Sequence, residues 1–270
     1  MNSAKNQRPA SKGTAVVTGA SAGIGKVYAD RLAQQGYDLH LVARRRDRLN
    51  ALAETLSAQY GVVVRTTTAD LTDPEHVLAL AQVLASDVTL TMLVNNAGAS
   101  VWGPIAEADP RKASAIIALN VTALTQLTIA ALSAFKSSNR GTIVNIGSIA
   151  AFGIYPGVGI YSGTKAYVLN FTRTLQAELR GTNVVVQFVA PGQTMSEARE
   201  LAGGSQGDAA MVMTTEDCVD ASLQGLRDGE AITAPSVEGG VLVANFNDAG
   251  QALFVSALTG KPASRYAVAY

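Results

Sequence analysis

Short runs of β-branched residues alternate with helical patterns along almost the whole chain, and this alternation limits the folds it can adopt. Most runs are continuous stretches of Val, Ile and Leu, which is typical of strands covered on both faces. Strands are predicted at Thr14–Thr18, Asp38–Val42, Val62–Ala69, Met92–Val94, Thr142–Ile146, Val184–Val189 and Ala231–Thr233. Helices are predicted near residues 24–35, 45–59, 74–86, 110–136, 160–180 and 215–228. Because a strand–helix–strand repeat implies right-handed crossovers, the sequence predicts an α/β fold: a doubly wound parallel sheet of about seven strands with helices on both faces.

No linker, repeat or low-complexity block divides this pattern. We therefore expect a single domain over residues 13–270, preceded by a disordered polar tail over residues 1–12. The tail lacks the apolar segment of a signal peptide, and a single cysteine, Cys218, rules out an intrachain disulfide. Both features favour a cytoplasmic protein in which Cys218 is a buried structural thiol.

Charge and composition argue against several function classes. The chain has 21 Lys and Arg residues against 21 Asp and Glu residues, so no net charge attracts it to nucleic acid or to an anionic membrane, and we expect neither as a partner. One cysteine and two histidines supply few metal ligands, so no metal site is predicted. The stretch 113–135 is apolar enough to suggest a membrane span, but Asn120 and Gln126 interrupt it, and we expect a helix buried against protein instead.

A glycine-rich turn, TGASAGIG over residues 18–25, lies between the first predicted strand and the first predicted helix. Glycines at such a turn let the backbone approach a pyrophosphate, and the helix N-terminus offers free N–H groups and the positive end of its dipole. An alternative is that Gly23 and Gly25 only let the helix pack closely on the strand. The position of the turn favours nucleotide binding, with contacts from Gly19, Ser21, Gly23, Ile24 and Gly25.

The end of the second predicted strand indicates which nicotinamide cofactor is used. Enzymes that use NAD usually place an acidic residue there to accept from the ribose 2′-hydroxyl. This chain instead reads LVARRR over residues 41–46, so Arg44 and Arg45 can bind a 2′-phosphate through charge-assisted hydrogen bonds worth about 1.5–3 kcal/mol each. The alternative is a solvated helix start, although basic residues are unfavourable at a helix N-terminus. The sequence therefore favours NADP(H) as the cofactor.

A Tyr-x3-Lys pair is the best candidate for proton transfer. Tyr161 and Lys165 lie four residues apart at the start of a predicted helix, so they share one face, and Ser148 follows a strand at the carboxyl edge of the sheet. Tyrosine, with an ordinary pKa of about 10, is a poor base near neutrality. A lysine cation about 4 Å away would favour the phenolate by about 4 kcal/mol, or roughly three pKa units. In isolation, such a pair could also be a tyrosine hydroxyl satisfied by a surface lysine.

Together these motifs resemble the short-chain dehydrogenase/reductase family, whose first turn reads TGxxxGxG and whose active site contains YxxxK. The resemblance covers residues 13–235 and implies a Rossmann-like fold with four catalytic residues. It implies that Asn120, within an LNV segment, interrupts helix bonding and anchors a proton-relay water, and that Ser148 hydrogen-bonds the substrate carbonyl. Tyr161 would be the general acid/base, and Lys165 would lower its pKa and bind the nicotinamide ribose.

The resemblance also implies cofactor contacts at three further strand ends. These involve Asp70 and Leu71 after the third strand, Asn96, Ala97 and Gly98 of an NNAG turn after the fourth, and Pro191, Gly192, Thr194 and Ser196 after the sixth. The chain departs from the family pattern twice. Ser196 stands where the family usually has Thr, and residue 22 is Ala where many NADP-preferring relatives have a basic residue nearby, so the 2′-phosphate would depend on Arg44 and Arg45.

The turns expected around the reacting carbonyl carry mostly apolar side chains and no lysine or arginine. These apolar side chains are Val101, Trp102, Phe152, Ile154, Tyr155, Met195, Met211 and Met213. They predict a neutral hydrophobic ketone, aldehyde or secondary alcohol as substrate, although such residues could also simply pack the edge of the domain. The loop GGSQG over residues 203–207 is predicted to be a mobile lid.

The sequence thus predicts an NADP(H)-dependent oxidoreductase, with reduction of 3-oxoacyl thioesters as an alternative activity. A non-catalytic NADP(H)-sensing protein is disfavoured because all four catalytic residues are present. A nucleotide-sugar epimerase is disfavoured because little chain follows the seventh strand. The apolar helices at 110–136 and 160–180 carry more hydrophobic surface than one sheet face covers, so a homodimer or homotetramer is expected.

Overall fold

The computed structural model describes residues 11–195, 197 and 211–266. The predicted lid at 203–207, Ser196 and all but the last two residues of the predicted tail lie outside these ranges.

Seven parallel strands form one sheet, which confirms the predicted α/β fold. They are β1 (Thr14–Thr18), β2 (Asp38–Ala43), β3 (Val64–Thr68), β4 (Leu90–Asn95), β5 (Gly141–Ile146), β6 (Val184–Val189) and β7 (Ile232–Thr233). Their order is β3-β2-β1-β4-β5-β6-β7. The direction of winding reverses between β1 and β4, and ligands of such sheets bind outside the carboxyl ends of the strands at this point.

Helices connect the strands on both faces of the sheet. They are α1 (Gly23–Gln34), α2 (Arg46–Tyr60), α3 (Pro74–Ser86), α4 (Pro110–Ile117), α5 (Leu124–Ser138), α6 (Gly159–Glu178) and α7 (Thr215–Arg227). A further helix, α8 (Val241–Ser256), follows β7 in the chain. A π-helical segment, Ala118–Ala123, joins α4 to α5. Asp73 and Asp109 cap α3 and α4 by accepting from backbone N–H groups, with proline in the first turn, and so fix where these helices begin.

Two large hydrophobic cores lie on opposite faces of the sheet, and a third, smaller cluster is formed around Phe188 and Leu169. On one face, α1, α2 and α7 bury residues such as Tyr28, Leu49 and Leu223. On the other face, α3, α5 and α6 bury residues such as Leu84 and Phe135. Each such side chain contributes about 1.5–3 kcal/mol by leaving water, so the two cores hold the strand ends in a fixed arrangement.

Strand β3 differs from the sequence prediction. It begins at Val64 rather than Val62, and most of its side chains are exposed because it is an edge strand with β2 as its neighbour. Continuous burial on both faces was expected for the strands in general, but it does not hold for this polar segment, VRTTT. An edge strand is covered less completely than an inner strand and so tolerates Arg and Thr.

The chain divides into two compact units, the first ending at Ser236 and the second beginning at Val237. The second unit contains α8, which the sequence analysis did not predict. The helix carries exposed apolar residues, including Val241, Leu242 and Leu253. A single domain over residues 13–270 therefore stays a prediction.

The helical stretch Pro110–Ser138 is long and apolar enough to span a membrane by length and composition, with a mean hydropathy of 1.8. Core helices of soluble proteins have the same property. Here α5 contributes Leu127, Ala131 and Phe135 to the core on the face it shares with α3. This packing accounts for part of the apolar character of the stretch, since 44% of its most apolar window is buried.

Candidate active site

A cleft of about 1170 Å³ lies at the carboxyl edge of the sheet. Every predicted cofactor residue that the structure describes, apart from Gly25, lines this cleft, and so do Ser148, Tyr161 and Lys165. Small-molecule sites commonly measure about 300–1,000 Å³. The cleft is therefore large enough for a dinucleotide together with a second small molecule.

The glycine-rich turn brings backbone, rather than side chains, to the wall of the cleft. Gly19 and Gly23 have φ values of +68° and +53°, a left-handed conformation that other residues rarely adopt. A Cβ on Gly25 would lie 2.5 Å from the carbonyl oxygen of Gly19, so Gly25 allows α1 to pack on the turn. At Gly25 the structure therefore agrees with the alternative interpretation, in which the glycine serves close packing of the helix rather than contact with a nucleotide.

The N-terminus of α1 has the properties of an anion-binding site. Its capping residue is Ala22, which provides no side-chain hydrogen bond, and its first turn contains no acidic residue. The first N–H groups therefore stay available, and the helix dipole adds positive potential at this position. The exposed backbone at the glycines and the free N–H groups of α1 together fit the pyrophosphate of a dinucleotide.

Arginines follow β2, as predicted, but they differ in their contacts. Arg44 makes no hydrogen bond or ion pair with another residue in the described ranges, and its charge helps to lower the pKa of Asp70. Burial alone would raise that pKa, but hydrogen bonds from Thr72, together with Arg44, outweigh it. Arg44 and Asp70 thus border the same part of the cleft.

Arg45 is bound on two sides. Its Nε and Nη2 both donate to Ser21 Oγ at 3.2 Å, and its Nη1 lies 2.6 Å from a carboxylate oxygen of Glu197. The other Glu197 oxygen is 2.6 Å from Nη1 of Arg48. Glu197 was not predicted from the sequence, because no motif links a residue after β6 to the end of β2.

Hydrogen bonds tie the NNAG turn to the end of β1. Thr18 Oγ1 accepts from the backbone N–H groups of Asn96 and Ala97 at 3.0 Å, and Asn96 Nδ2 donates to the carbonyl oxygen of Thr18 at 2.9 Å. Asn95, one residue earlier, is buried and donates to Asn145 on β5 at 2.9 Å. These contacts fix the strand ends on which the cleft is built.

Asn120 lies in the π-helical segment, as the expected interruption of helix bonding requires. It is buried: its Oδ1 accepts from Ala99 N–H, and its Nδ2 donates to Ala99 O and to Thr164 Oγ1. It does not line the cleft directly. Its contacts instead join the turn after β4 to the first turns of α6, behind the candidate catalytic residues.

Ser148, Tyr161 and Lys165 converge on one wall of the cleft. The hydroxyl of Ser148 accepts from Ala150 N–H at 3.1 Å and is also a hydrogen-bond partner of Tyr161. Lys165 is buried; its ammonium donates to the carbonyl oxygen of Ile146 at 2.8 Å and lies 5.7 Å from the centre of the Tyr161 ring. The structure thus brings together three residues that are up to 17 positions apart in sequence, from 148 to 165.

The pKa shifts in this group differ from those expected. Burial raises the pKa of Tyr161, and the hydrogen bond with Ser148 offsets only part of the rise. Burial lowers the pKa of Lys165 to about 8. The expectation that Lys165 brings the pKa of Tyr161 down towards neutrality is therefore wrong for this arrangement. The reason is that the desolvation of Tyr161 dominates its pKa, while the ammonium of Lys165 donates its hydrogen bond to the carbonyl oxygen of Ile146.

The segment after β6 also lines the cleft and is joined to the Ser148 segment by a hydrogen bond from Ile149 N–H to Pro191 O at 3.0 Å. Pro191, Gly192 and Thr194 line the cleft, and Thr194 Oγ1 donates to Gly192 O at 3.2 Å. Ser196 lies outside the described residues. Cys218 on α7 is buried, as predicted, and burial raises the pKa of its thiol to about 11, so it is protonated at neutral pH.

The mouth of the cleft is apolar and aromatic. Trp102, Ile154 and Tyr155 line it as expected, together with Ile149, which the sequence analysis missed. Ile154 is fully exposed, and the rings of Trp102 and Tyr155 meet edge to face with centres 6.4 Å apart. The other predicted pocket residues, namely Val101, Phe152, Met195, Met211 and Met213, are not part of the described lining. Phe152 instead packs against Phe188 in the core.

Comparison with known proteins agrees with this geometry. The family model for short chain dehydrogenase matches residues 13–204. A short-chain dehydrogenase from Sphingobium yanoikuyae, solved in complex with NADPH, is 38% identical; the match covers 94% of this chain and all of that one, with a TM-score of 0.90. A bulky-bulky ketone specific alcohol dehydrogenase from Comamonas testosteroni is 32% identical over 96% of this chain and all of that one, with a TM-score of 0.88. A 7beta-hydroxysteroid dehydrogenase from Collinsella aerofaciens is 30% identical over 78% of this chain and 81% of its own length. The chain belongs to the short-chain dehydrogenase family and is an oxidoreductase of that type.

Proposed function

We propose that this protein is an NADP(H)-dependent oxidoreductase that interconverts a neutral, hydrophobic ketone or aldehyde and the corresponding alcohol. The observation that carries the proposal is the convergence of Ser148, Tyr161 and Lys165 between a phosphate-binding turn and an apolar cleft mouth. No other group of residues in the described cleft combines a hydroxyl donor, a proton carrier and a buried cation.

The residues present fit NADP(H). The uncapped N-terminus of α1 suits the pyrophosphate, and Arg44 offers a guanidinium that no described residue binds. The Sphingobium relative, solved with NADPH, supports the choice of the phosphorylated cofactor. When bound, this cofactor supplies or accepts the hydride.

The chain's own residues would position the substrate and move its proton. Ser148 Oγ accepts from Ala150 N–H and is paired with Tyr161, so a substrate carbonyl that enters between the two hydroxyls would take its hydrogen bond from Ser148 in place of that pairing. Tyr161 keeps its proton at neutral pH because burial raises its pKa, so it can donate that proton to the alkoxide that develops during reduction. Lys165, with a pKa of about 8, is mostly charged at pH 7 and stabilises negative charge beside the tyrosine.

The cleft mouth supports a bulky and uncharged substrate. Trp102, Tyr155, Ile154 and Ile149 expose large apolar surfaces there, and none of them carries a positive charge to neutralise a carboxylate or phosphate. Burying such surface against a ligand gives about 25 cal/mol per Å² of apolar area. The names of the Comamonas and Collinsella relatives, a bulky-bulky ketone alcohol dehydrogenase and a hydroxysteroid dehydrogenase, are consistent with this substrate class.

The proposal is tested by following NADPH oxidation with a matched series of ketones. The series compares neutral ketones of increasing apolar bulk with analogues that carry a carboxylate and with 3-oxoacyl thioesters. We expect kcat/KM to rise with apolar bulk and to fall by at least about tenfold when a carboxylate is added, since an unpaired charge would be buried against apolar side chains. A consistent preference for small charged ketones would contradict the proposed substrate, and a preference for the thioesters would favour the alternative activity.

A further inference from the structure

Glu197 occupies a position that the proposed cofactor would need. It lines the same cleft as Ser21, Arg44 and Arg45, at the end of β2. One carboxylate oxygen binds Arg45 and the other binds Arg48, each at 2.6 Å. Glu197 therefore places a carboxylate, paired with two arginines, where the sequence predicts a 2′-phosphate.

The two arginines at the end of β2 are not equivalent in this respect. Arg44 binds no other residue of the described chain, whereas Arg45 has donors engaged by Glu197 and by Ser21. A phosphate that uses Arg45 must share the guanidinium with Glu197 or displace it. Two anions so close to one cation also repel each other, which makes displacement the favoured outcome.

We propose that Glu197 competes with the 2′-phosphate for Arg45 and thereby weakens NADP(H) binding without weakening NAD(H) binding. Glu197 would thus be a specificity-determining residue that reduces the preference for NADP(H) over NAD(H) provided by Arg44 and Arg45. This inference rests on the proposed binding of the adenosine end of a nicotinamide cofactor in this cleft.

The size of the effect follows from the exposure of the pair. The side chains of Glu197, Arg45 and Arg48 are all about half-exposed, so each ion pair is screened by solvent. Loss of an exposed pair of this kind corresponds to at most roughly a fivefold change in affinity for the competing anion. Glu197 therefore reduces the preference for NADP(H) without reversing it.

The test compares Glu197→Gln with a control, Glu54→Gln, which removes the same charge from an exposed position of α2 outside the cleft. Dissociation constants are measured by titration for NADPH and NADH and for the fragments 2′,5′-ADP and 5′-AMP. We expect Glu197→Gln to tighten the binding of NADPH and 2′,5′-ADP by about three- to fivefold and to change the binding of NADH and 5′-AMP by less than about twofold. Glu54→Gln should leave all four constants unchanged.

A second variant identifies the arginine involved. In an Arg45→Ala background, Glu197→Gln should tighten 2′,5′-ADP by less than about twofold, because the contested guanidinium is gone. Unchanged or weaker NADPH binding by Glu197→Gln would overturn the inference. Loss of NADH binding alone would also overturn it, because Glu197 would then accept a hydrogen bond from the ribose 2′-hydroxyl. If wild-type protein bound NADPH and NADH equally but Glu197→Gln still tightened 2′,5′-ADP, the proposed NADP(H) preference would fail while the competition stood.

Discussion

Lys165 donates a hydrogen bond to the carbonyl oxygen of Ile146, the last residue of β5, at 2.8 Å. The contact anchors a buried cation of α6 to the strand that leads into Ser148. It holds the ammonium beside the ring of Tyr161 at 5.7 Å from the ring centre. The strand end and the helix start therefore form one unit, and the charge of that unit depends on pH.

The first prediction concerns this dependence on pH. Lys165 has a pKa lowered to about 8 by burial, so it carries its charge below that pH and loses it above. We expect kcat/KM for ketone reduction to be level near neutrality and to fall above about pH 8. Lys165→Arg keeps its charge throughout, so its activity, although lower because the shape changes, should not fall over the same interval. A wild-type profile level up to pH 10 would contradict this role.

The second prediction concerns the cofactor. Wild-type protein should prefer NADPH over NADH by at least about tenfold in kcat/KM, which corresponds to about 1.4 kcal/mol. Joint substitution of Arg44→Ala and Arg45→Ala should remove most of this preference and leave the NADH kinetics largely unchanged. Arg46→Ala is the matched control, because it removes a neighbouring charge that does not line the cleft. Equal use of both cofactors by wild-type protein would rule the preference out.

Part of this site follows from sequence because the family motifs place residues at strand ends, and the parallel sheet brings those ends together. That is how Gly19, Asn96 and Ser148 were predicted to border one cleft. The competing carboxylate of Glu197 and the location of Phe152 in the core were not predicted, since both depend on how the segments after β5 and β6 turn back on the fold.

The pKa of Tyr161 is a further case, because it depends on burial as well as on the neighbouring charge, and burial cannot be read from a four-residue spacing. Helix α8 was missed for a different reason: it follows the last strand, so the strand–helix alternation that identified the other helices ends before it.

The third prediction concerns assembly. Ile117, Ile129 and Tyr167 are exposed on α4, α5 and α6, where a hydrophobic face is more stable when covered. We predict a homodimer or homotetramer at micromolar concentration, measured by light scattering. Ile129→Glu should shift the measured mass towards that of the monomer. Leu78→Glu, at an exposed position of α3, should leave the mass unchanged. A monomeric mass for wild-type protein would refute the prediction.

The central claim is that Tyr161 transfers the proton during carbonyl reduction, and Tyr161→Phe tests it most directly. The substitution keeps the ring and removes the hydroxyl, so the single-turnover rate of NADPH oxidation with a bulky neutral ketone should fall by at least about a hundredfold. The dissociation constant of NADPH should change little. Tyr266→Phe, which removes an exposed tyrosine hydroxyl outside the cleft, serves as the control and should keep the wild-type rate. If Tyr161→Phe instead kept more than about a tenth of the wild-type rate, proton transfer by Tyr161 would be contradicted.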